Sequence, residues 1–257
     1  MRNVKVVLEY DGTRFYGFQR QPGRQTIQSA FERALSKLFG RKIKIQSASG
    51  RTDSGVHAAG QVINFKVDTD LKLYQIERGL NHYLPKEIAV MKAEDVDEGF
   101  HARFCARSKI YEYSVWHHSS RSPLTSRYAH HVYGELDLKK MRVGARILTG
   151  HHDFRSFSGS YPKDEDAGFG KISEKERSTE RTVKRLEIYR SGHMVRFVIE
   201  ADGFLYHMVR NIVGTLLELG RGKLTVDKLK EILKARDRRC AGMTAPACGL
   251  KLVSVTY

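Results

Sequence analysis

Between two stretches of strand-like composition lies Ser49-Gly50-Arg51-Thr52-Asp53-Ser54-Gly55-Val56-His57-Ala58-Ala59-Gly60. Its glycines permit backbone angles that other residues avoid and let another molecule come close. Arg51 and Asp53 stand two residues apart between Gly50 and Gly55. A short carboxylate held in such a loop can act as nucleophile or base. The same Arg-x-Asp pattern in a glycine-rich turn also forms an Asx-turn with a neighbouring ion pair. The residues alone leave both readings open.

Other chemistry finds less support. Six of the eleven histidines fall in adjacent pairs, His117-His118, His130-His131 and His151-His152, and neighbours on a strand point to opposite faces, so these are not read as metal ligands. Cys105, Cys240 and Cys248 are odd in number and form no CxxC pair, which argues against a disulfide framework or a cysteine zinc site. There is no P-loop, and no dinucleotide fingerprint follows the first strand. No metal and no cofactor is expected. The start at Met1 runs straight into strand-like sequence, no run of eighteen apolar residues occurs, and the chain reads as cytoplasmic with no membrane partner.

Charge points to a polyanion. Lys plus Arg is 45 and Asp plus Glu is 29, an excess of +16 in 257 residues. Such a field attracts nucleic acid and is screened by salt; a lysine-rich solvated surface carries a similar excess.

The elements that must position the loop follow from periodicity. Residues 3–10 read as a strand ended by Asp11-Gly12. Residues 26–39 read as a helix with Ile27, Ala30, Phe31, Ala34, Leu35 and Leu38 on one face. Strands are expected over 42–48, 61–67 and 88–96, with a helix over 73–84 stopped by Pro85. This strand, helix, strand, strand, helix, strand order is the split βαβ unit. The second half repeats it: a strand over 108–116, a helix over 138–148 capped by Asp137, a hairpin of 181–190 with 193–201, helices over 206–219 and 226–236, and a closing strand over 250–257. The expected fold is α+β: two ferredoxin-like (βαββαβ) halves, 1–105 carrying the loop and 106–257, forming an extended, mainly antiparallel sheet with a central catalytic cleft. Residues 158–180 are polar, with Pro162 and three glycines, and read as a surface loop.

Gly50 through Ala58 resembles the signature of the TruA family of tRNA pseudouridine synthases. Five further blocks resemble that family in its order. They are Tyr10–Thr13 with Gly17–Gln21; Phe100–Phe104 followed by Tyr111-Glu112-Tyr113; Gly150 with Asp153-Phe154 and Ser156-Phe157; Gly203–Gly214; and Ala245-Pro246-Ala247 with Gly249, Leu250 and Leu252. The resemblance implies conversion of uridine to pseudouridine in the tRNA anticodon arm, at positions 38, 39 and 40, by a homodimer that needs no cofactor. It makes Asp53 the catalytic aspartate, attacking C1′ or removing the C2′ proton. A stem uridine must be flipped out of its stack to be reached. Arg51 matches the arginine that expels the base or takes its place; a phosphate contact or an intraloop ion pair is the alternative. Tyr111 matches the tyrosine that stacks on the flipped base, with Tyr113 assigned the core. Arg210, set among Met208, Val209, Ile212 and Val213, matches the arginine paired with the aspartate. Leu250 falls to the pocket wall and His57 to support of the loop. Arg14, Arg20, Arg24, Arg107, Lys109, Arg221 and Lys223 are candidates for the tRNA track. A non-catalytic RNA-binding module of the same fold, or a sister synthase with other RNA targets, are the rival readings; the complete signature loop argues against the first.

Overall fold

The computed structural model describes residues 1–159 and 178–257, so most of the surface loop expected over 158–180 lies outside the described residues. The chain divides into two compact units, Met1–Arg107 with Lys251–Tyr257, and Ser108–Leu250.

In the first unit the chain forms β1 (Arg2–Tyr10), α1 (Ile27–Phe39), β2 (Ser47–Ala48), β3 (His57–Val67), α2 (Leu73–Tyr83) and β4 (Ile88–Val96). β1 pairs antiparallel with β3 on one side and β4 on the other, and β2 lies antiparallel on β3. That is the ferredoxin-like arrangement. α1 begins where Thr26 caps it: the Thr26 hydroxyl accepts from the Ser29 N–H at 3.2 Å, and the Thr26 N–H donates to the Ser29 hydroxyl at 3.1 Å. This reciprocal pair satisfies two amides that a helix N-terminus otherwise leaves open. Ile27, Ala30, Phe31, Ala34 and Leu35 are all buried, and the Phe31 and Phe65 rings meet at 6.2 Å. A Cβ on Gly79 of α2 would lie 2.5 Å from Leu38 of α1, so the two helices approach through that glycine.

Two differences from the sequence expectation concern the loop directly. The strand expected over 42–48 reduces to Ser47–Ala48. Ile43 and Ile45 are buried while Lys42, Lys44 and Gln46 are exposed, so the alternation reported burial without a strand ladder. β3 begins at His57, four residues earlier than its apolar alternation suggested, because Ala58, Ala59 and Gly60 carry little hydrophobic signal. β10 (Leu250–Thr256) runs parallel to β3, with Lys251 opposite His57 and Leu252 opposite Ala58. The last seven residues therefore group with the first unit. A Cβ on Gly60 would sit 2.4 Å from the Val253 carbonyl oxygen; only glycine allows β10 so close.

The second unit contains β5 (Ser108–His117), β6 (His130–Val132), α3 (Leu138–Leu148), β7 (Gly150–Asp153), β8 (Glu180–Ser191), β9 (Met194–Ala201), α4 (Met208–Gly220) and α5 (Val226–Ala235). Its sheet runs β5-β9-β8-β7 with antiparallel neighbours, and β6 lies parallel beside β5. β6 and β7, of three and four residues, are too short to leave a periodic trace. Asp137 caps α3 by accepting from the Lys140 N–H at 3.0 Å, as its position in the sequence implies. A Cβ on Gly144 of α3 would lie 2.6 Å from Leu219 and 2.8 Å from Leu216 of α4, so these side chains pack directly on the glycine. Both units are α+β and mainly antiparallel. Among the described residues no helix is long and apolar enough to cross a membrane.

Thr26→Ala should lower unfolding stability by about 1 kcal/mol, read as a reduced denaturant midpoint with an unchanged slope, and Thr26→Ser should recover most of it.

Candidate active site

The Asp53 loop is held from three sides by its own unit. From within, the Val56 N–H donates to the Asp53 carbonyl at 3.1 Å, closing a turn in which Gly55 takes φ +78°. This is the left-handed backbone that glycine adopts without cost.

From the N-terminal stretch, Asp11–Phe18 folds against it. The Asp11 carboxylate accepts from the Thr13 N–H at 2.9 Å and the Thr13 hydroxyl at 2.5 Å, forming the short turn that leads Phe15 and Phe18 into the core. The Phe18 N–H then donates to the Thr52 carbonyl at 3.0 Å, and the Ser54 hydroxyl to the Phe15 carbonyl at 3.2 Å. Two glycines make the approach possible. A Cβ on Gly12 would lie 1.9 Å from the Val56 carbonyl oxygen. One on Gly17, itself at φ +77°, would lie 2.8 Å from that of Thr52. His57 completes this side: its Nδ1 accepts from the Gly12 N–H at 3.1 Å and lies 3.2 Å from the Asp11 carboxylate. The supporting role expected for His57 thus has a specific form.

From beneath, a buried polar chain reaches up. The Tyr10 hydroxyl is 2.8 Å from the Thr52 hydroxyl. Gln61 donates through Nε2 to the Gly50 carbonyl at 2.9 Å and, more weakly, to the Tyr10 hydroxyl at 3.4 Å. The Ser49 hydroxyl donates to Gln61 Oε1 at 2.5 Å. Tyr10, Thr52, Ser49 and Gln61 are all buried, where an unmade hydrogen bond would be costly. Asp53 and Arg51, both partly exposed, are carried on this frame. Sequence reasoning assigned no role to Gln61, Thr52 or Tyr10. The available signal was a glutamine between Gly60 and Val62 at the start of an apolar strand, a polar side chain that burial requires to be satisfied.

Tyr111, Arg210 and Leu250 belong to the second unit. Tyr111 lies on β5 opposite Ile199, 8% exposed, with Phe204 edge-on at 5.0 Å between ring centres. Tyr113, two residues on and on the same face, is fully buried, and its hydroxyl donates to the Pro246 carbonyl at 2.8 Å. Burial pushes the Tyr113 phenol far up, against the opposing pull of the Arg210 charge. Tyr113, assigned the core, is the more deeply buried of the two, though Tyr111 is buried as well. Arg210 on α4 donates from Nε to the Ala245 carbonyl at 2.7 Å, while its own carbonyl accepts from the Ala245 N–H at 3.1 Å. Its charge is also felt by Cys248, whose thiol burial raises. Leu250 is buried at the start of β10, just after the turn Ala247–Gly249. A Cβ on Gly249 would strike the Tyr113 ring at 2.7 Å.

The segment after Ala241 that receives Arg210 is itself pinned. Gly214 of α4 lets the Met243 carbonyl approach to where a Cβ would be 1.7 Å away. The buried Asn211 amide accepts from Arg238 at 3.0 Å and from the Thr244 hydroxyl at 2.6 Å, and donates to the Phe157 carbonyl at 2.7 Å.

The family model described as tRNA pseudouridine synthase matches residues 6–105 and 145–257, which include the whole loop and the Arg210 helix. The chain belongs to the tRNA pseudouridine synthase family. Relatives named tRNA pseudouridine synthase A share 41% identity in Thermoanaerobacter sp. (strain X514), over the full length of both chains. The relative in Geobacillus kaustophilus shares 42%, covering all of this chain and 95% of that protein, and the one in Bacillus pumilus 43%, covering 99% and 98%. The family is one of isomerases, and the match takes in both units.

Burial pushes the Tyr10 phenol from 10.0 up to about 12, against the lowering effect of Thr52 and Gln61. The unfolded chain therefore releases this proton first as pH rises, and folding stability falls between pH 10.0 and about 12. In denaturation midpoints measured across that window, Tyr10→Phe should decline less steeply than wild type while being less stable at neutral pH by about 1–3 kcal/mol.

Proposed function

We propose that this protein converts uridine to pseudouridine in the anticodon arm of tRNA, at positions 38, 39 and 40, with Asp53 as the catalytic carboxylate. The observation that carries the reading is the frame around Asp53: Tyr10, Gln61 and the Gly12–Phe18 clamp hold Thr52, Gly50 and the backbone of the loop that carries this one short acidic side chain within the family signature. A merely decorative turn has no need of such support.

The reaction breaks the bond between N1 of the base and C1′ of the ribose, turns the base, and joins C5 to C1′; the C5 proton leaves and N1 gains one. Electrons and atoms balance within the substrate, so neither a redox partner nor a phosphate donor is required. Asp53 starts the sequence by attacking C1′ or by taking the C2′ proton. The uridine is flipped from its stack to reach it. Arg51, two residues before Asp53 on the loop, helps expel the base or fills its place. Tyr111 supplies an aromatic face on which the detached base turns, since stacking tolerates rotation. Arg210, oriented by Ala245, supplies the cation of the site, and Leu250 an apolar wall. The excess of +16 favours the phosphate backbone. The enzyme works as a homodimer in this reading, as the family resemblance implies, and in the cytoplasm, as the cysteine usage and the absence of a long apolar run suggest.

Chemical mapping of pseudouridine in bulk tRNA, before and after treatment with the pure protein and no additive, should show new modification confined to the anticodon arm; modification elsewhere, or none, would overturn the assignment. Asp53→Ala should abolish turnover, by a thousandfold or more on the order seen for catalytic nucleophiles, while tRNA binding stays measurable. Tyr111→Ala should weaken productive binding by about 1–3 kcal/mol, visible in kcat/KM, with Tyr111→Phe retaining most of it.

A further inference from the structure

The segment that clamps the Asp53 loop continues into a feature the proposed reaction does not itself require. Arg20, Gln21, Pro22, Gly23, Arg24 and Gln25, together with Ser29 and Arg33 of α1, line an open depression of about 470 Å³. Arg20, Arg24 and Arg33 are all exposed. Arg20 is partly neutralised by the buried Glu32, 3.2 Å from its Nη1. Arg24 lies over the Tyr16 ring, 4.3 Å from its centre. An arginine guanidinium carries five N–H donors in a fork that matches a phosphate.

The segment lining the depression is hydrogen-bonded at several points and shares its support with the Asp53 loop. The Arg24 N–H donates to the Gln21 carbonyl at 3.3 Å, with Gly23 at φ +67° completing the turn. The Tyr16 N–H donates to the Gln25 carbonyl at 2.9 Å, and the Arg20 N–H to the Gln28 side chain at 3.0 Å. Gly17 and Phe18, between these anchors, are the residues pressed against Thr52. One short segment thus carries arginines at one end and touches the neighbour of Asp53 at the other.

We infer that this depression holds one backbone phosphate of the RNA substrate and, through Tyr16–Phe18, sets the register of the strand relative to Asp53. The inference rests on the proposed tRNA reading and adds a specific phosphate subsite to it. A volume of about 470 Å³ accommodates a phosphodiester with its sugar. Phosphate contacts position an RNA without reading its bases, which suits an enzyme whose target must be brought to a fixed carboxylate.

The test is salt-dependent binding of unmodified tRNA to the full chain, with phosphate-ethylation interference mapping in parallel. Arg24→Ala/Arg33→Ala should reduce the slope of log affinity against log salt by about one and erase one interference position seen with wild type. Arg24→Lys/Arg33→Lys, which keeps the charge, should retain the slope and most of the interference. An unchanged slope and an unchanged interference map in the alanine variant would overturn the subsite. Pseudouridine formation by the wild-type protein in the same preparation separates this outcome from failure of the enzymatic reading, since active wild type with an insensitive alanine variant rejects the subsite alone.

Discussion

The structure of the first unit depends on keeping Thr52 in place. Its hydroxyl meets Tyr10 at 2.8 Å and its carbonyl accepts from Phe18 at 3.0 Å, while Gly17 gives way to it. Asp53 is the next residue, so a partly exposed carboxylate takes its position from a neighbour that is buried. The loop is fixed through its backbone and flanking residues, and the Asp53 side chain itself stays partly exposed. The cost is a polar chain inside the core, and Ser49, Gln61 and Tyr10 hold it to favourable geometry by satisfying one another.

The second unit uses the same logic on an arginine. Gly214 and Gly242 let the segment after Ala241 lie against the backbone of α4, and the Asn211, Arg238 and Thr244 side chains lock it there. Burial lowers the affinity of Arg238 for its proton, a measure of how far that guanidinium is withdrawn from water. The locked segment presents the Ala245 carbonyl to Arg210 and the Pro246 carbonyl to Tyr113. In both units, glycines that remove a Cβ allow one backbone to approach another, and a charged side chain, Asp53 or Arg210, lies on or against the segment so fixed.

Much of this was legible in the residues. Helix α3 follows Asp137 as its cap because a short carboxylate before an amphipathic run has few other uses. Helix α1 was legible from the apolar face of residues 26–39, while its cap, the Thr26 hydroxyl, became visible only in the fold. The two βαββαβ orders emerge from alternation and helical spacing, and the class they imply is present in each unit. The signature around Asp53, with five further blocks in order, carries the family, and the match over 6–105 and 145–257 bears it out. What misled was alternation taken as pairing: Ile43 and Ile45 bury without joining a ladder, and β3 starts inside the glycine loop where small residues hide the period.

By itself, then, the sequence determined the chemistry available, an acid on a glycine-rich loop in a strongly basic chain, together with the helices that frame it. Such information is local: caps, periods and composition act within a few residues of one another. Tertiary structure alone decided what holds that acid. Tyr10 reaches Thr52 across 42 residues and Gln61 reaches Tyr10 across 51, and the closing strand returns from Lys251 to lie beside His57. Hydrogen bonds over such separations impose no spacing on the chain, so they leave no pattern to read until it has folded.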